Sequence, residues 1–496
     1  MNPVFRHSSA HALRRLLYLC ALGAAPLLSG CASFQGIAPH NQQIEALQMP
    51  ASGAVDNAQD AWPQAAWWHA YGDPQLDKLM QHALSDSPTL AAAQARLERA
   101  QAAAGLASAS GRPRLNAGVD LSYGRQSENY LVPKPPLGIG GEYVSQGQAA
   151  LNFGYDLDLW GKNAALIRAA DAQEKAARFD QAAARLALTT SLVRAYLQLA
   201  AQYDLQDVIA ATQTQREQIH KLIEQRVANG LDTKVEVKQA ESNQAALQAE
   251  REQLATAIKV TQLQLAALAG EMPAAASAID RPRLAPVPFS IPHALPLDLL
   301  ARRPELAAQR ARIEAATGEA AAAKAEFYPN INLTALIGFQ AIGLGNLLES
   351  GSQMSSFGPA IHLPIFDGGR LRANYAIKTA DIDAAIAQYN QSVLSAAQDV
   401  AEQLTRAADL AREERATQAA LDSAEEAYRL ATLRYRGGLS PYLTVLTVET
   451  QVLAQRRALA DIHGRRDQLH VALVRALGGG FEDSPALAAV TTTARH

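Results

Sequence analysis

The chain has 496 residues, 48% of them hydrophobic, with a formal net charge of -3, two cysteines and a mean hydropathy of -0.10. So small a net charge leaves no electrostatic footprint for nucleic acid, and two cysteines build no disulfide framework. Beyond the N-terminal signal, no segment approaches the roughly 18 apolar residues of a membrane-crossing helix, so an α-helical transmembrane domain is not expected.

At the N-terminus, Arg6, Arg14 and Arg15 precede the apolar run Leu16 to Leu22, which is followed by Leu28-Ser29-Gly30-Cys31. A basic region, a short apolar region and small residues before a cut read as a secretory signal over 1–30. Cysteine directly after Leu-Ser-Gly resembles a bacterial lipobox, in which Cys31 receives lipid, palmitate included, and becomes the new N-terminus. Cys20 leaves with the signal, so the mature chain keeps one cysteine and no internal disulfide. Residues 31–73 are expected to form the lipid anchor and an extended segment.

Residues 74–270 form a first structural unit. Its strands are expected at 113–124 and 148–160. In the first, Leu115, Ala117, Val119, Leu121 and Tyr123 alternate with Arg114, Asn116, Gly118, Asp120 and Ser122; in the second, Leu151, Phe153, Tyr155, Leu157 and Leu159 alternate with polar or small residues. Period-2 alternation over about ten residues puts the apolar side chains on one face, at the length a tilted transmembrane strand needs. The connection between them holds Pro133, Pro135, Pro136, Gly138, Gly140 and Gly141, as a long outward-facing loop does. Helices follow at 163–228 and 234–270. From Asn163 to Ala228 there is neither proline nor glycine, and Val193, Leu197, Ala201, Leu205, Val208, Thr212, Ile219 and Ile223 recur at threes and fours. That is a coiled-coil-like stripe in an alanine-rich helix, suited to a wall one helix thick.

A proline-rich linker over 271–297 is expected to be extended and non-helical. The pattern then starts again. Ser87-Pro88-Thr89-Leu90-Ala91-Ala92 returns as Arg303-Pro304-Glu305-Leu306-Ala307-Ala308, and Arg226-Val227-Ala228-Asn229-Gly230-Leu231 as Arg434-Tyr435-Arg436-Gly437-Gly438-Leu439. Each copy is about 200 residues, too long for a solenoid unit, so this is a duplicated domain. The second copy, 298–480, carries strands at 329–340 and 355–366 and helices at 371–436 and 440–477, followed by a tail at 481–496.

No histidine, cysteine or carboxylate set has metal-ligand spacing, and no catalytic or phosphate-loop motif appears, so no enzyme and no cofactor are expected. His463 and His470, seven apart, read as a solvated stripe; Glu413-Glu414 and Glu425-Glu426 read as exposed helix surface. Four strands cannot close a barrel, and open sheet edges cannot face lipid. Three chains of four strands make twelve, a workable channel; two would make only a narrow barrel that side chains could fill. Asn229-Gly230-Leu231 and Gly437-Gly438-Leu439 each interrupt a glycine-free helical run and mark its reversal. Gly230 and Gly438 suit the left-handed helix-ending conformation; Leu231 and Leu439 are then apolar at an exposed tip where a partner could cover them.

These residues carry a resemblance. Trp67-Trp68-His69-Ala70-Tyr71-Gly72-Asp73-Pro74-Gln75-Leu76, Leu299 to Leu306 and Leu363-Pro364-Ile365-Phe366-Asp367-Gly368-Gly369-Arg370, with the lipobox and the duplication, make the chain similar to outer-membrane factors of the TolC superfamily, in the lipoprotein branch like NodT and OprM. The resemblance covers the chain from about Trp62 to Gly480. It implies mixed α and transmembrane β structure: a homotrimer whose 12-stranded β-barrel in the outer membrane is continuous with a long periplasmic α-helical coiled-coil barrel. It implies a passive exit duct of a tripartite multidrug or toxic-compound efflux pump, with a periplasmic adaptor (membrane fusion protein) and an inner-membrane transporter, usually of the resistance-nodulation-division type. Ala32, where aspartate would mark inner-membrane retention, implies sorting to the outer membrane. In such ducts a Gly-Leu pair at the tip meets adaptor hairpins, as Gly230-Leu231 and Gly438-Leu439 would. A leucine and an acidic residue one turn apart line the closed aperture; Leu443 matches the leucine, the acidic position falls on Thr447, and the nearest carboxylate is Glu449. The gate is therefore expected to be mainly a hydrophobic ring of Leu443 side chains. Two other readings stay open, an outer-membrane duct for type I protein secretion and a non-channel periplasmic coiled-coil adaptor lipoprotein.

Overall fold

The computed structural model describes residues 33–44, 63–129, 136, 140–287 and 303–481. Cys31, the signal at 1–30, the linker beyond 287 and the tail from 482 lie outside them. The chain divides into two compact units: Met1–Gln42 with Glu98–Ala176 and Arg310–Gln388, and Gln43–Leu97 with Ala177–Gln309 and Tyr389–His496. Among the described residues, no helix is long and apolar enough to cross a membrane.

The first unit holds one antiparallel sheet in the order β1 (Arg114–Arg125), β2 (Tyr143–Asp156), β3 (Asn330–Ile342) and β4 (Gln353–His362). Directly paired residues share a face, and the register sorts the side chains. One face carries the rows Leu115, Phe153, Ala335, Phe357 and Ala117, Leu151, Ile337, Ser355, with Ile331 opposite Ile361. The other carries Asn116, Asn152, Leu336, Ser356 and Asp120, Gln148, Gln340. The apolar face is bare: Leu115, Val119, Leu121, Tyr123, Ile337, Phe357 and Ile361 are all exposed. On the polar face Gly338 is required, because a Cβ there would sit 2.2 Å from the Ala149 carbonyl oxygen. β1 and β4 each present an open edge.

Two strands shift by several residues from the sequence reading. β2 runs over 143–156 instead of 148–160, and β4 over 353–362 instead of 355–366. The alternation continues past both strand ends, but the backbone leaves the sheet. Asp158 takes a positive φ of 45°, and its carboxylate accepts from the Asn163 and Ala164 N–H groups, at 2.9 and 2.8 Å, to open the next helix. In the second copy Asp367 accepts from Gly369 N and Leu371 N, at 3.0 and 2.7 Å. A carboxylate on the free N–H groups of a helix start stabilises it twice, by hydrogen bonding and through the dipole. Ahead of this unit's helices, Phe34 packs edge-on against Phe327 and Tyr375, and Arg372 Nη1 donates to the Ser33 and Gln35 carbonyls.

The helices are α1 (Pro74–Asp86), α2 (Pro88–Ser110), α3 (Lys162–Ala228), α4 (Lys234–Leu268), α5 (Pro304–Ala325), α6 (Arg370–Arg436) and α7 (Tyr442–Ala476). α3 and α6 have 67 residues each, about 100 Å at 1.5 Å per residue. In the second unit the α3 stripe is buried: Val193, Leu197, Thr212, Ile219 and Ile223 are each 7% exposed or less. Here the Trp67 to Leu76 motif explains itself. Trp67, Trp68, Tyr71 and Leu76 lie in the largest core cluster, and buried Asp73 is a hub. Its Oδ1 accepts Gln75 N at 2.9 Å; its Oδ2 accepts Tyr196 Oη at 2.6 Å and Arg283 N at 2.7 Å.

Two further expectations need correction in this unit. Within the linker, Pro273–Ala278 forms a 3-10 turn rather than extended chain; proline at the first position fits because its missing N–H is not needed there. His470 is not solvated: it is half-buried, its Nδ1 is 2.9 Å from the Tyr71 hydroxyl, and burial holds its pKa below the ordinary value. The acidic pairs lie on the helix surface as read, with Glu413 and Glu426 exposed, and they also reach across helices, Glu413 to Arg465 at 2.6 Å and Glu425 to Arg456 at 2.7 Å.

Candidate functional site

Both helical reversals lie in the second unit, and the chain builds them alike. At the first, Leu231 N donates to Arg226 O at 2.8 Å and Gly230 N to Val227 O at 3.0 Å; at the second, Leu439 N donates to Arg434 O at 2.8 Å and Gly438 N to Tyr435 O at 3.0 Å. This pair of hydrogen bonds closes a helix end when one residue is left-handed, and Gly230 and Gly438 supply φ of 72° and 73°. The next helices begin differently. Thr233 caps α4 in a reciprocal box with Glu236, whose carboxyl the Thr233 hydroxyl holds below the usual range. Pro441 precedes α7 and offers no side-chain cap.

The two turns are latched together by three side chains that sequence reasoning missed. Arg226 Nε donates to Asp232 Oδ2 at 2.8 Å and its Nη1 to the Tyr435 carbonyl at 3.0 Å. Its guanidinium lies 4.5 Å from the centroid of the Tyr435 ring, and the Tyr435 hydroxyl donates to Asp232. Tyr435 is fully buried, beside Ile223, Ala240, Tyr442 and Val445. Burial, then the hydrogen bond to Asp232, push its phenol well above the ordinary pKa. Burial acts to raise the Asp232 carboxyl too, but the hydrogen bonds from Arg226 and Tyr435 outweigh it and hold it below the usual carboxylate range. The signal that could have found the latch is the repeated arginine five residues before each leucine, Arg226 and Arg434.

The expected docking residues are on the surface: Leu231 is 63% and Leu439 72% exposed. Leu443 is 59% exposed, and Thr447, one turn on, is exposed with its hydroxyl donating to the Leu443 carbonyl at 2.9 Å. Glu449 does not share that surface. It is 5% exposed, and its Oε1 accepts from Arg216 Nε at 3.0 Å, while Arg216 Nη1 donates to the Asn243 carbonyl at 2.7 Å. The grouping of Glu449 with Leu443 and Thr447 is therefore corrected: six residues from Leu443, it points in among its own chain's helices and braces α7 to α3 and α4. Cys31 lies outside the described residues. Among those described, no group of three His, Cys, Asp or Glu could hold a metal ion.

Comparison with known proteins agrees with this architecture. The profile of the family described as "Outer membrane efflux protein" matches residues 79–271 and 295–479. The chain is 35% identical over 484 residues to the multidrug resistance outer membrane protein MdtP of Shigella flexneri, covering 95% of this chain and 98% of that one. It is 36% identical over 381 residues to the fusaric acid resistance protein FusA of Burkholderia cepacia, covering 75% and 71%. Among solved structures, the outer membrane protein VceC of Vibrio cholerae superposes with a TM-score of 0.81 at 38% identity, over 85% of this chain and all of that one.

Proposed function

The chain belongs to the outer membrane efflux protein family, and from that premise we propose that it is the passive exit duct of a tripartite drug or toxic-compound efflux pump. It is an outer-membrane protein and a transport protein. The observation that carries the reading further is the sheet: four strands, one bare apolar face, one polar face and two open edges. An apolar face suits lipid and a polar face suits water, as in a membrane barrel. Open edges are not tolerated in lipid, where every backbone group must be paired. Three copies with four strands each close twelve strands around an aqueous lumen.

On this reading the long helices carry the duct into the periplasm. A periplasmic adaptor docks on the exposed Gly230-Leu231 and Gly438-Leu439 turns, linking the duct to an inner-membrane transporter, of the resistance-nodulation-division type in our reading. Leu443, with Thr447, rings the closed aperture, and Glu449 braces the helices behind it. Lipid on Cys31 anchors the N-terminus. The duct supplies no chemistry; it offers a wet path and a gate, and the transporter supplies the energy.

The test is the mass and conductance of purified protein in mild detergent. Light scattering should give three protomers, and the same preparation should form ion-conducting channels in a planar bilayer. A stable monomer that still conducts would contradict the closure derived from the open edges.

A further inference from the structure

The two turns are equal in backbone and unequal in charge. In the first copy Arg226 is neutralised by Asp232, at 2.8 Å. The duplication aligns Arg226 with Arg434, Leu231 with Leu439 and Asp232 with Ser440. The second copy therefore lacks the carboxylate. Ser440 Oγ is buried without a hydrogen-bond partner, and Arg434 is left exposed, with no ion pair among the described residues. Arg436, two residues on, is in the same state.

The imbalance extends along the chain. Around the first turn the carboxylates Glu224, Asp232, Glu236 and Glu241 are interspersed with Lys221, Arg226, Lys234 and Lys238. Around the second there is no carboxylate at all between Glu426 and Glu449. Neither end residue offsets the arginines: Glu426 is taken by Arg429 at 2.6 Å and Glu449 is buried on Arg216. Beside these cations lie exposed apolar side chains, Leu430 at 47%, Leu433 at 51% and Leu439 at 72%. Arg434 stands one helical turn from Leu430, on the same face.

We propose that the second turn is the charge-selective half of the docking surface, and that it takes an acidic amphipathic helical hairpin, whose carboxylates meet Arg434 and Arg436 while its apolar tip covers Leu433 and Leu439. This rests on the reading of the turns as docking points. The first turn, internally neutralised, contributes apolar contact without charge preference. Complementary charges at the rim of an apolar contact set partner choice and encounter rate, and they are screened by salt, with a Debye length of about 8 Å at 0.15 M. Leaving one turn of the pair unneutralised would let a tip with two like backbone turns distinguish one from the other.

The test uses purified full-length protein and two synthetic helical hairpins, each displayed on a trimeric scaffold so that avidity compensates for weak single contacts. The hairpins share one apolar tip; one is flanked by glutamates, the other by lysines. We expect the acidic hairpin to bind the wild type at least about tenfold more tightly in 50 mM salt, and to lose that advantage in 500 mM salt or with R434E/R436E. L439S should weaken both hairpins. Equal binding of the two hairpins, or none, would overturn the charge proposal. If they bind equally and L439S abolishes both, docking stands and charge selection fails. If they bind and L439S changes neither, the docking reading itself fails. If R434Q/R436Q prevents oligomer formation, the arginines serve a neighbouring copy, and the proposal is overturned.

Discussion

Replacing Asp232 with alanine should open the tip without unfolding the rest of the protein. The carboxylate accepts from Arg226 at 2.8 and 3.3 Å and from the Tyr435 hydroxyl, and the Arg226 and Asp232 side chains are only 11% and 10% exposed. Its removal leaves a nearly buried guanidinium unpaired and a buried phenol without its acceptor. Breaking a fully buried pair costs about 3–5 kcal/mol. Here Arg226 keeps the Tyr435 carbonyl at 3.0 Å and the ring face at 4.5 Å, and some water can reach it, so we expect a loss of about 2 kcal/mol. That multiplies local opening about thirtyfold, which hydrogen exchange reads directly. The rise should be confined to amides near 226–236 and 431–445. Tyr435→Phe should give a smaller rise, because Arg226 still pairs with Asp232. Acid gives a second handle. The folded pKa of Asp232 is depressed, so its contribution is complete above the unfolded value of about 3.9 and is lost as pH falls through the folded value. Wild-type tip exchange, corrected for intrinsic rate, should be flat from about pH 5 to 8 and rise only in stronger acid. An Asp232→Ala rise below about threefold, or one spread evenly over the second unit, would refute the latch.

Val119→Arg places a charge on the bare apolar face and should cost about 2–4 kcal/mol near the bilayer midplane, lowering the yield of folded oligomer, whereas Asn152→Arg, on the polar face, should be milder; equal yields would reverse the assignment of faces. Leu443→Ser should raise single-channel conductance and sensitise cells to a bulky antibiotic such as vancomycin; unchanged conductance in a correctly assembled protein would remove Leu443 from the aperture. Mass spectrometry of the mature protein should find Cys31 as the N-terminal residue with an added diacylglyceryl mass, and Cys31→Ala should weaken assembly without abolishing it; an unmodified N-terminus elsewhere would exclude the lipid anchor.

Much of the architecture was legible in the sequence because it depends on periodicity and on local backbone chemistry. Alternation over ten residues sorts a strand into faces whatever surrounds it, and the observed register places Leu115, Phe153, Ala335 and Phe357 in one row. A run of 67 residues without proline or glycine makes α3 and α6 continuous, and a glycine at the only left-handed position ends each of them. Duplication doubled every one of these signals. What the sequence could not decide was anything set by partners distant along the chain. The ends of β2 and β4 depend on where Asp158 and Asp367 turn the backbone into a helix cap, and the apolar alternation runs on regardless. The direction of Glu449 depends on Arg216, 233 residues away, and the latch joins Arg226 to Tyr435 across 209. Spacing places a carboxylate on a helix face; only the packing of four helices decides whether that face meets water or an arginine, because a charge that leaves water must find its counter-charge in three dimensions.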